Sequence, residues 1–220
     1  MSPISPLDTY KDSYETNSKG NGGIYSALLQ ISREFTVRRV LYPGSYVDIT
    51  QSLFFPHVVY VDALSGIADL MADSVLREYI AQNKLYQEKA DIRCYQQDYH
   101  TFNAEPDETF DLLISLNAGL VSQACKQFIG SGGLLLANDE HYDARRAFVD
   151  SDYLLVGAFN RENRNMTTLE SELSSYFKTA SGALHSEQEL ARIKTILHNE
   201  SRPEGFTEKS QQRGSRWSWV

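Results

Sequence analysis

One spacing limits the fold of this chain more than any other. The apolar run His57-Val-Val-Tyr-Val-Asp62 ends in a carboxylate about 18 positions after Gly44, which closes the run Val40-Leu-Tyr-Pro-Gly44. A buried strand, a tight glycine turn, a short crossover and a second strand ending in an acid make the front half of a nucleotide-binding α/β unit. The glycine lets backbone approach a ligand. An acid roughly 20 positions further on can accept hydrogen bonds from both ribose hydroxyls. Only one of the glycines usual at such a turn is present.

The rest of the pattern alternates. A first helix is expected over residues 23–35, with Ile24, Leu28, Ile31 and Phe35 at helical spacing. Strands are expected at 37–42, 57–63, 90–96, 110–116 and 134–137, the last after Gly132-Gly133. Between them lie a short helix at 49–55, a longer one after Ser65 carrying Ile67, Leu70, Met71, Val75, Tyr79 and Ile80, and another at 120–129. A further helix follows Asp143, to about residue 149. The alternation implies an α/β fold with a doubly wound, mostly parallel sheet and helices on both faces. Residues 153–159 and 169–177 then read as two strands of an antiparallel hairpin. The capping-box pattern Ser186-Glu-Gln-Glu189 opens a C-terminal helix.

With 220 residues the chain fits one α/β domain with short appendages. Residues 1–22 are polar, with Pro3, Pro6, Gly20 and Gly22, and read as a flexible arm; 23–200 form a single domain, and 201–220 a polar tail ending Trp217-Ser-Trp219-Val220. A net charge of −8 argues against broad nucleic-acid binding, which usually needs a basic face. No apolar run reaches the ~18 residues of a membrane span, and the N-terminus has no secretory pattern. Cys94 and Cys125 have no metal spacing and read as buried thiols of a cytoplasmic protein. No long apolar stripe fixes an oligomeric state.

Residues 37–177 resemble the class I S-adenosylmethionine-dependent methyltransferases, which have a Rossmann-like fold. Val40-Leu-Tyr-Pro-Gly44-Ser-Tyr-Val-Asp48 stands where their glycine-rich first motif belongs, and Val59-Tyr-Val-Asp62 where the ribose-binding acid belongs. Gln97-Asp98-Tyr99 matches the end of the third strand, beside the adenine. Phe110-Asp-Leu-Leu-Ile-Ser-Leu-Asn117 matches the fourth, near donor and acceptor, and Gly132-Gly133-Leu-Leu-Leu-Ala-Asn138 the fifth. The terminal hairpin would separate these enzymes from nicotinamide dehydrogenases. The resemblance implies S-adenosylmethionine as cofactor, held by Tyr42, Pro43, Gly44, Ser45, Asp62, Ala63, Asp98, Tyr99, Ser115, Leu116 and Asn117. The chain departs from the family at its first motif. Tyr42 and Pro43 occupy the region of its leading acid, and Ser45 and Tyr46 narrow the space beside the single glycine.

The cluster Asn138-Asp-Glu-His141-Tyr-Asp143 follows the fifth strand, on the edge where ligands bind in open parallel sheets. His141 is a candidate general base, with Asp139 or Glu140 to orient it. The same residues also read as a polar loop whose acids cap the following helix. Asn117, Asn138 and Asp139 offer hard oxygen ligands at strand ends, but only one is charged, and no metal is expected. Residues 115–118, Ser-Leu-Asn-Ala, lack the Asn-Pro-Pro-Tyr type motif of amino-directed nucleic-acid methylation. A small-molecule or protein acceptor is therefore expected rather than DNA. The alternative is a non-catalytic protein of the same fold, serving nucleotide binding or protein interaction. A nicotinamide oxidoreductase would need GxGxxG after the first strand, which is missing.

Overall fold

Five apolar runs form the central parallel sheet: β1 (Arg39–Pro43), β2 (His57–Asp62), β3 (Asp91–Gln96), β4 (Phe110–Ser115) and β5 (Ile129–Ala137). The computed structural model describes residues 5–19, 24–160, 165–168, 177 and 217–219. The strand order is β3-β2-β1-β4-β5. β1 pairs with β2 from Arg39 opposite His57 to Pro43 opposite Val61, and with β4 through Val40–Leu112 and Leu41–Leu113. The inner residues of β1, β2 and β4 are almost all buried, as a sheet covered on both faces requires. β5 starts at Ile129, earlier than the expected Leu134. Its register with β4 shifts between Phe110 and Leu112, across the glycine run. A Cβ at Gly133 would lie 2.9 Å from the Gly130 carbonyl oxygen, so this irregular start leaves no room for a side chain there.

Two apolar clusters sandwich the sheet. On one face Val40, Tyr42, Val58, Tyr60, Leu112 and Ile114 belong to the same cluster as residues of α1 (Pro6–Tyr10), α3 (Ile24–Glu34), α4 (Ile67–Met71) and α5 (Ser74–Asn83). On the other, Leu41, Val59, Val61, Leu113 and Leu135 pack with residues of α6 (Val121–Ala124) and α7 (Asp143–Phe148). The expected doubly wound arrangement is thus observed. The β1–β2 and β3–β4 connections carry only the 3-10 turns Thr50–Leu53 and Tyr99–Thr101. Glu105 pins the second of these. Its buried carboxylate takes Arg39 at 3.2 Å, Arg93 at 3.1 Å and the Tyr95 hydroxyl at 2.9 Å, stitching β1 to β3.

Several expectations are corrected. Residues 6–19 are helical rather than a flexible arm: α1 passes through a π turn, Lys11–Glu15, into α2 (Thr16–Lys19). Pro6 lies in the first turn, where a missing N–H is harmless. Tyr10 is fully buried, its hydroxyl 3.4 Å from Thr50 Oγ1, and Tyr79 donates to Glu15. The single helix expected after Ser65 is two, because the Asp73 carboxylate accepts the Leu76 N–H at 2.9 Å and caps α5. Val75, expected on the apolar face, is 53% exposed. The helix expected over 120–129 shrinks to α6 and a 3-10 turn, Lys126–Phe128, because β5 has already begun at Ile129.

The sheet continues past β5 in an unexpected way. β6 (Gly157–Asn160) and β7 (Asn165–Thr167) form an antiparallel hairpin; β6 overlaps the first expected strand, and residues 169–176 of the second lie outside the described residues. β8 (Trp217–Trp219) lies between β5 and β6, antiparallel to both, with Trp219 opposite Leu136 and Ser218 opposite Ala158. Part of the expected polar tail is therefore a sheet strand, and it covers the hydrogen-bonding edge that β5 would otherwise expose. Phe177 is buried and stacks on Phe148 at 4.5 Å. The helix expected after Ser186 lies outside the described residues. No helix among the described residues is long and apolar enough to cross a membrane.

Candidate nucleotide-binding edge

The chain runs outward from β1 through β2 to β3, then returns to place β4 on the other side of β1. The crevice at the carboxyl ends of β1 and β4 is the topological switch point, where open α/β sheets bind ligands. The loops after β1, β2, β3, β4 and β5 surround it.

Gly44 turns the chain with φ +65°, and its N–H donates to the Val61 carbonyl at 2.7 Å. Two residues on, Tyr46 also has left-handed backbone, φ +46°. That conformation strains a residue with a Cβ. Asp62 holds it there: Oδ2 accepts the Tyr46 N–H at 2.8 Å while Oδ1 accepts the Leu64 N–H at 2.9 Å. Each carboxylate oxygen has two lone pairs, so each keeps one acceptor position for a further hydroxyl. Tyr46 and Leu64 flank the carboxylate with 37% and 43% of their surface exposed. An acid with two remaining acceptor positions between two accessible apolar side chains fits the ribose of a nucleoside. Ala63 is exposed beside them.

Beneath this loop lies Asp48, a buried acid the sequence reading passed over. It accepts the Thr50 N–H at 3.1 Å, the Thr50 hydroxyl at 2.6 Å, Gln51 Nε2 at 3.3 Å and the Tyr42 hydroxyl at 3.4 Å. Burial pushes its carboxyl above the usual range, against the pull of these hydrogen bonds. The contact to the N–H two residues on is the Asx-turn pattern, and Asp48-Ile-Thr50 carried that signal. Tyr14 was also missed. Its ring lies 6.4 Å from that of Tyr46, and burial pushes its phenol up to about 12. The helical N-terminal segment thus packs beside the β1 loop. Tyr42, Pro43 and Ser45, expected at the cofactor, have buried side chains, and only their backbone can meet a ligand.

Asp98 is exposed and occupied locally. Its Oδ1 accepts the His100 N–H at 2.9 Å and lies 2.9 Å from His100 Nδ1. The backbone hydrogen bond, then the imidazole, hold its carboxyl below the usual range. Tyr99 stacks on His100 at 4.2 Å and donates to the Ala118 carbonyl at 2.6 Å. It anchors the β4 loop.

At the tip of β4 the expected ligand contacts divide. Ser115 is buried and donates to Asp143, which also takes the N–H and hydroxyl of Ser122. Burial pushes the Asp143 carboxyl up. Leu116 is buried, and Asn117 alone is exposed, with φ +56°. Its amide oxygen accepts Asn138 Nδ2 at 2.5 Å, and its N–H donates to Asn138 Oδ1 at 3.3 Å.

In the β5 loop Asp139 pairs with Arg145 at 2.7 Å, yet burial outweighs that charge and pushes its carboxyl up to about 6. His141 has no hydrogen-bonded side-chain partner among the described residues, so neither Asp139 nor Glu140 orients it. No three His, Cys, Asp or Glu residues among the described residues are grouped to hold a metal ion.

The parallel order β3-β2-β1-β4-β5 with an antiparallel strand beside β5 defines a Rossmann-like methyltransferase fold. No protein-family model matches the chain, and no curated protein matches its sequence. Solved structures of similar shape include the YcgJ protein from Bacillus subtilis, with 18% identity over 50% of this chain and 49% of that one, TM-score 0.38. Another is the sugar N-methyltransferase KedS8 from a Streptoalloteichus species, with 15% identity over 59% and 52%, TM-score 0.39. A third is a putative S-adenosyl-L-methionine-dependent methyltransferase from Methanococcus maripaludis, with 14% identity over 100% and 96%, TM-score 0.43. The chain spans about half the length of the first two. Likeness at this level bears on no activity; the fold rests on the sheet order and register.

Proposed function

We propose that this chain is an S-adenosylmethionine-dependent methyltransferase acting on a small molecule or a protein side chain. The observation that carries this reading is Asp62. It ends β2, braces the left-handed loop at the switch point, and keeps one acceptor position on each oxygen. Strand β8, antiparallel beside β5, supports a methyl donor over a nicotinamide cofactor. Bound there, the donor would supply a methyl group on a positively charged sulfur. The chain's part would be to align the acceptor with that methyl, so that the new bond could form as the bond to sulfur breaks and its electron pair stays on sulfur. Alignment and exclusion of water can supply much of the barrier reduction, so no catalytic side chain is required. His141 is the candidate base for an acceptor that must lose a proton. The charge of −8 favours a small-molecule or protein acceptor over nucleic acid in a cytoplasmic setting.

A second reading has its own observation. The methyl of Ala118 lies against Gly44, where a ligand would approach. That favours a non-catalytic protein of the same fold, binding a nucleoside or a protein partner. Calorimetric titration of S-adenosylmethionine and S-adenosylhomocysteine tests the first reading. Micromolar binding that Asp62→Ala abolishes supports it, and no binding at millimolar cofactor counts against it. Transfer of a labelled methyl group to any acceptor in a screen separates enzyme from non-catalytic relative.

A further inference from the structure

We propose that Ala118 determines what the carboxyl edge admits: it leaves the nucleoside end at Asp62 open and must be displaced from Gly44 before the amino-acid end of S-adenosylmethionine can enter. This rests on the reading above that Asp62 anchors a nucleoside. A Cβ built on Gly44 would lie 2.2 Å from Ala118 Cβ and 3.4 Å from its Cα. The Ala118 methyl therefore lies directly against the glycine. The close approach that a glycine offers at such a turn is taken up by the protein's own β4 loop.

That loop is tied from two further sides. The Tyr99 hydroxyl, from the β3 loop, donates to the Ala118 carbonyl at 2.6 Å. Gly119, with φ +99°, has a Cβ direction only 2.8 Å from the same hydroxyl. Asn138, from the β5 loop, makes two hydrogen bonds to Asn117. None of these ties involves Asp62, whose oxygens hold Tyr46 and Leu64 instead. The two ends of the site are therefore separable. A ligand that stops at the nucleoside leaves residues 117–119 in place. A ligand that continues along the switch-point crevice must first lift Ala118 off Gly44, and its observed affinity falls by that cost.

The test is calorimetric titration of adenosine and S-adenosylhomocysteine into the full chain, as wild type, Ala118→Gly and Asn138→Ala. Ala118→Gly is expected to tighten S-adenosylhomocysteine about tenfold while changing adenosine less than about twofold. Asn138→Ala frees the loop without altering Ala118 and should move the same ligand in the same direction, by less. Equal changes for both ligands, or no change for S-adenosylhomocysteine, overturn the role of Ala118. So does a wild-type affinity for S-adenosylhomocysteine more than about a hundredfold above that for adenosine, a result that needs no variant to fold. Failure of both ligands to bind wild type removes the Asp62 reading and this proposal with it. Adenosine binding without any selective effect removes the proposal alone.

Discussion

The Asp62 carboxylate reaches back 16 residues to take the Tyr46 N–H at 2.8 Å. This bond joins the end of β2 to the loop after β1 and offsets the strain of a tyrosine in left-handed backbone. Asp62→Ala should remove the acceptor for both Tyr46 and Leu64. Leaving those donors without a partner costs about 1–3 kcal/mol to the extent that water cannot replace it. Urea unfolding reads the stability loss, and titration with S-adenosylhomocysteine reads the binding loss, expected to exceed about tenfold. A folded variant with unchanged affinity would show that the carboxylate serves the loop only.

Tyr10 gives a second prediction. It belongs to the core although it lies in a polar N-terminal stretch, packing against Tyr79 at 5.9 Å. Truncating a fully buried aromatic typically costs about 3–5 kcal/mol. Tyr10→Ala should lower the urea midpoint accordingly, whereas Tyr10→Phe should cost about 1 kcal/mol or less, since only a 3.4 Å contact to Thr50 is lost. A loss below about 1 kcal/mol for Tyr10→Ala would mean that the N-terminal helix is undocked in solution.

Tyr10 also marks where sequence reasoning stops. Every parallel strand was readable, because β-branched and large apolar residues in unbroken runs have few alternatives in a sheet covered on both faces. Asp62 was readable because its place after Gly44 follows from the strand–turn–strand geometry. Leu7, Tyr10 and Tyr14 stand at helical spacing and pack on one core cluster, but that short trace lies among polar residues between Pro3, Pro6, Gly20 and Gly22, so α1 read as an arm. Asp73 looked like one more polar residue of a helix, yet its carboxylate caps a new one. Trp217–Trp219 entered the sheet through backbone pairing with β5 and β6, which no local pattern reports. At the site, residue type alone could not separate Ser115, buried on Asp143, from Asn117, exposed two positions later.

Asp139 makes acid behaviour testable. Its folded pKa of about 6 lies above the ordinary aspartate value of about 4, with burial the main cause. The folded state therefore holds this proton more tightly than the unfolded chain. The linked stabilisation is fully present below about pH 4 and is lost as pH rises through about 6, on the order of 2–3 kcal/mol in all. Asp139→Asn removes that titration. Melting both proteins at pH 4.5 and 7 should show wild type losing ground to Asp139→Asn as pH rises. Parallel profiles would place the Asp139 carboxyl near its ordinary value, with the Arg145 charge and the Arg145 backbone N–H balancing burial.

The contact between Gly44 and Ala118 can be dissected by a double-mutant cycle. Gly44→Ala introduces two separate faults. The first is backbone strain at φ +65°, about 1–2 kcal/mol for a residue with a Cβ. The second is the collision with the Ala118 methyl, whose carbon would lie 2.2 Å away. Ala118→Gly relieves the collision and leaves the strain untouched. Gly44→Ala/Ala118→Gly should therefore be more stable than the two single losses added together, by a coupling of about 0.5–3 kcal/mol. It should stay below Ala118→Gly by roughly the strain alone. Chemical denaturation of the four proteins measures both quantities. Additive losses would mean that the β4 loop already stands away from Gly44 in solution. A coupling of the expected sign establishes the contact that the ligand-admission role of Ala118 requires.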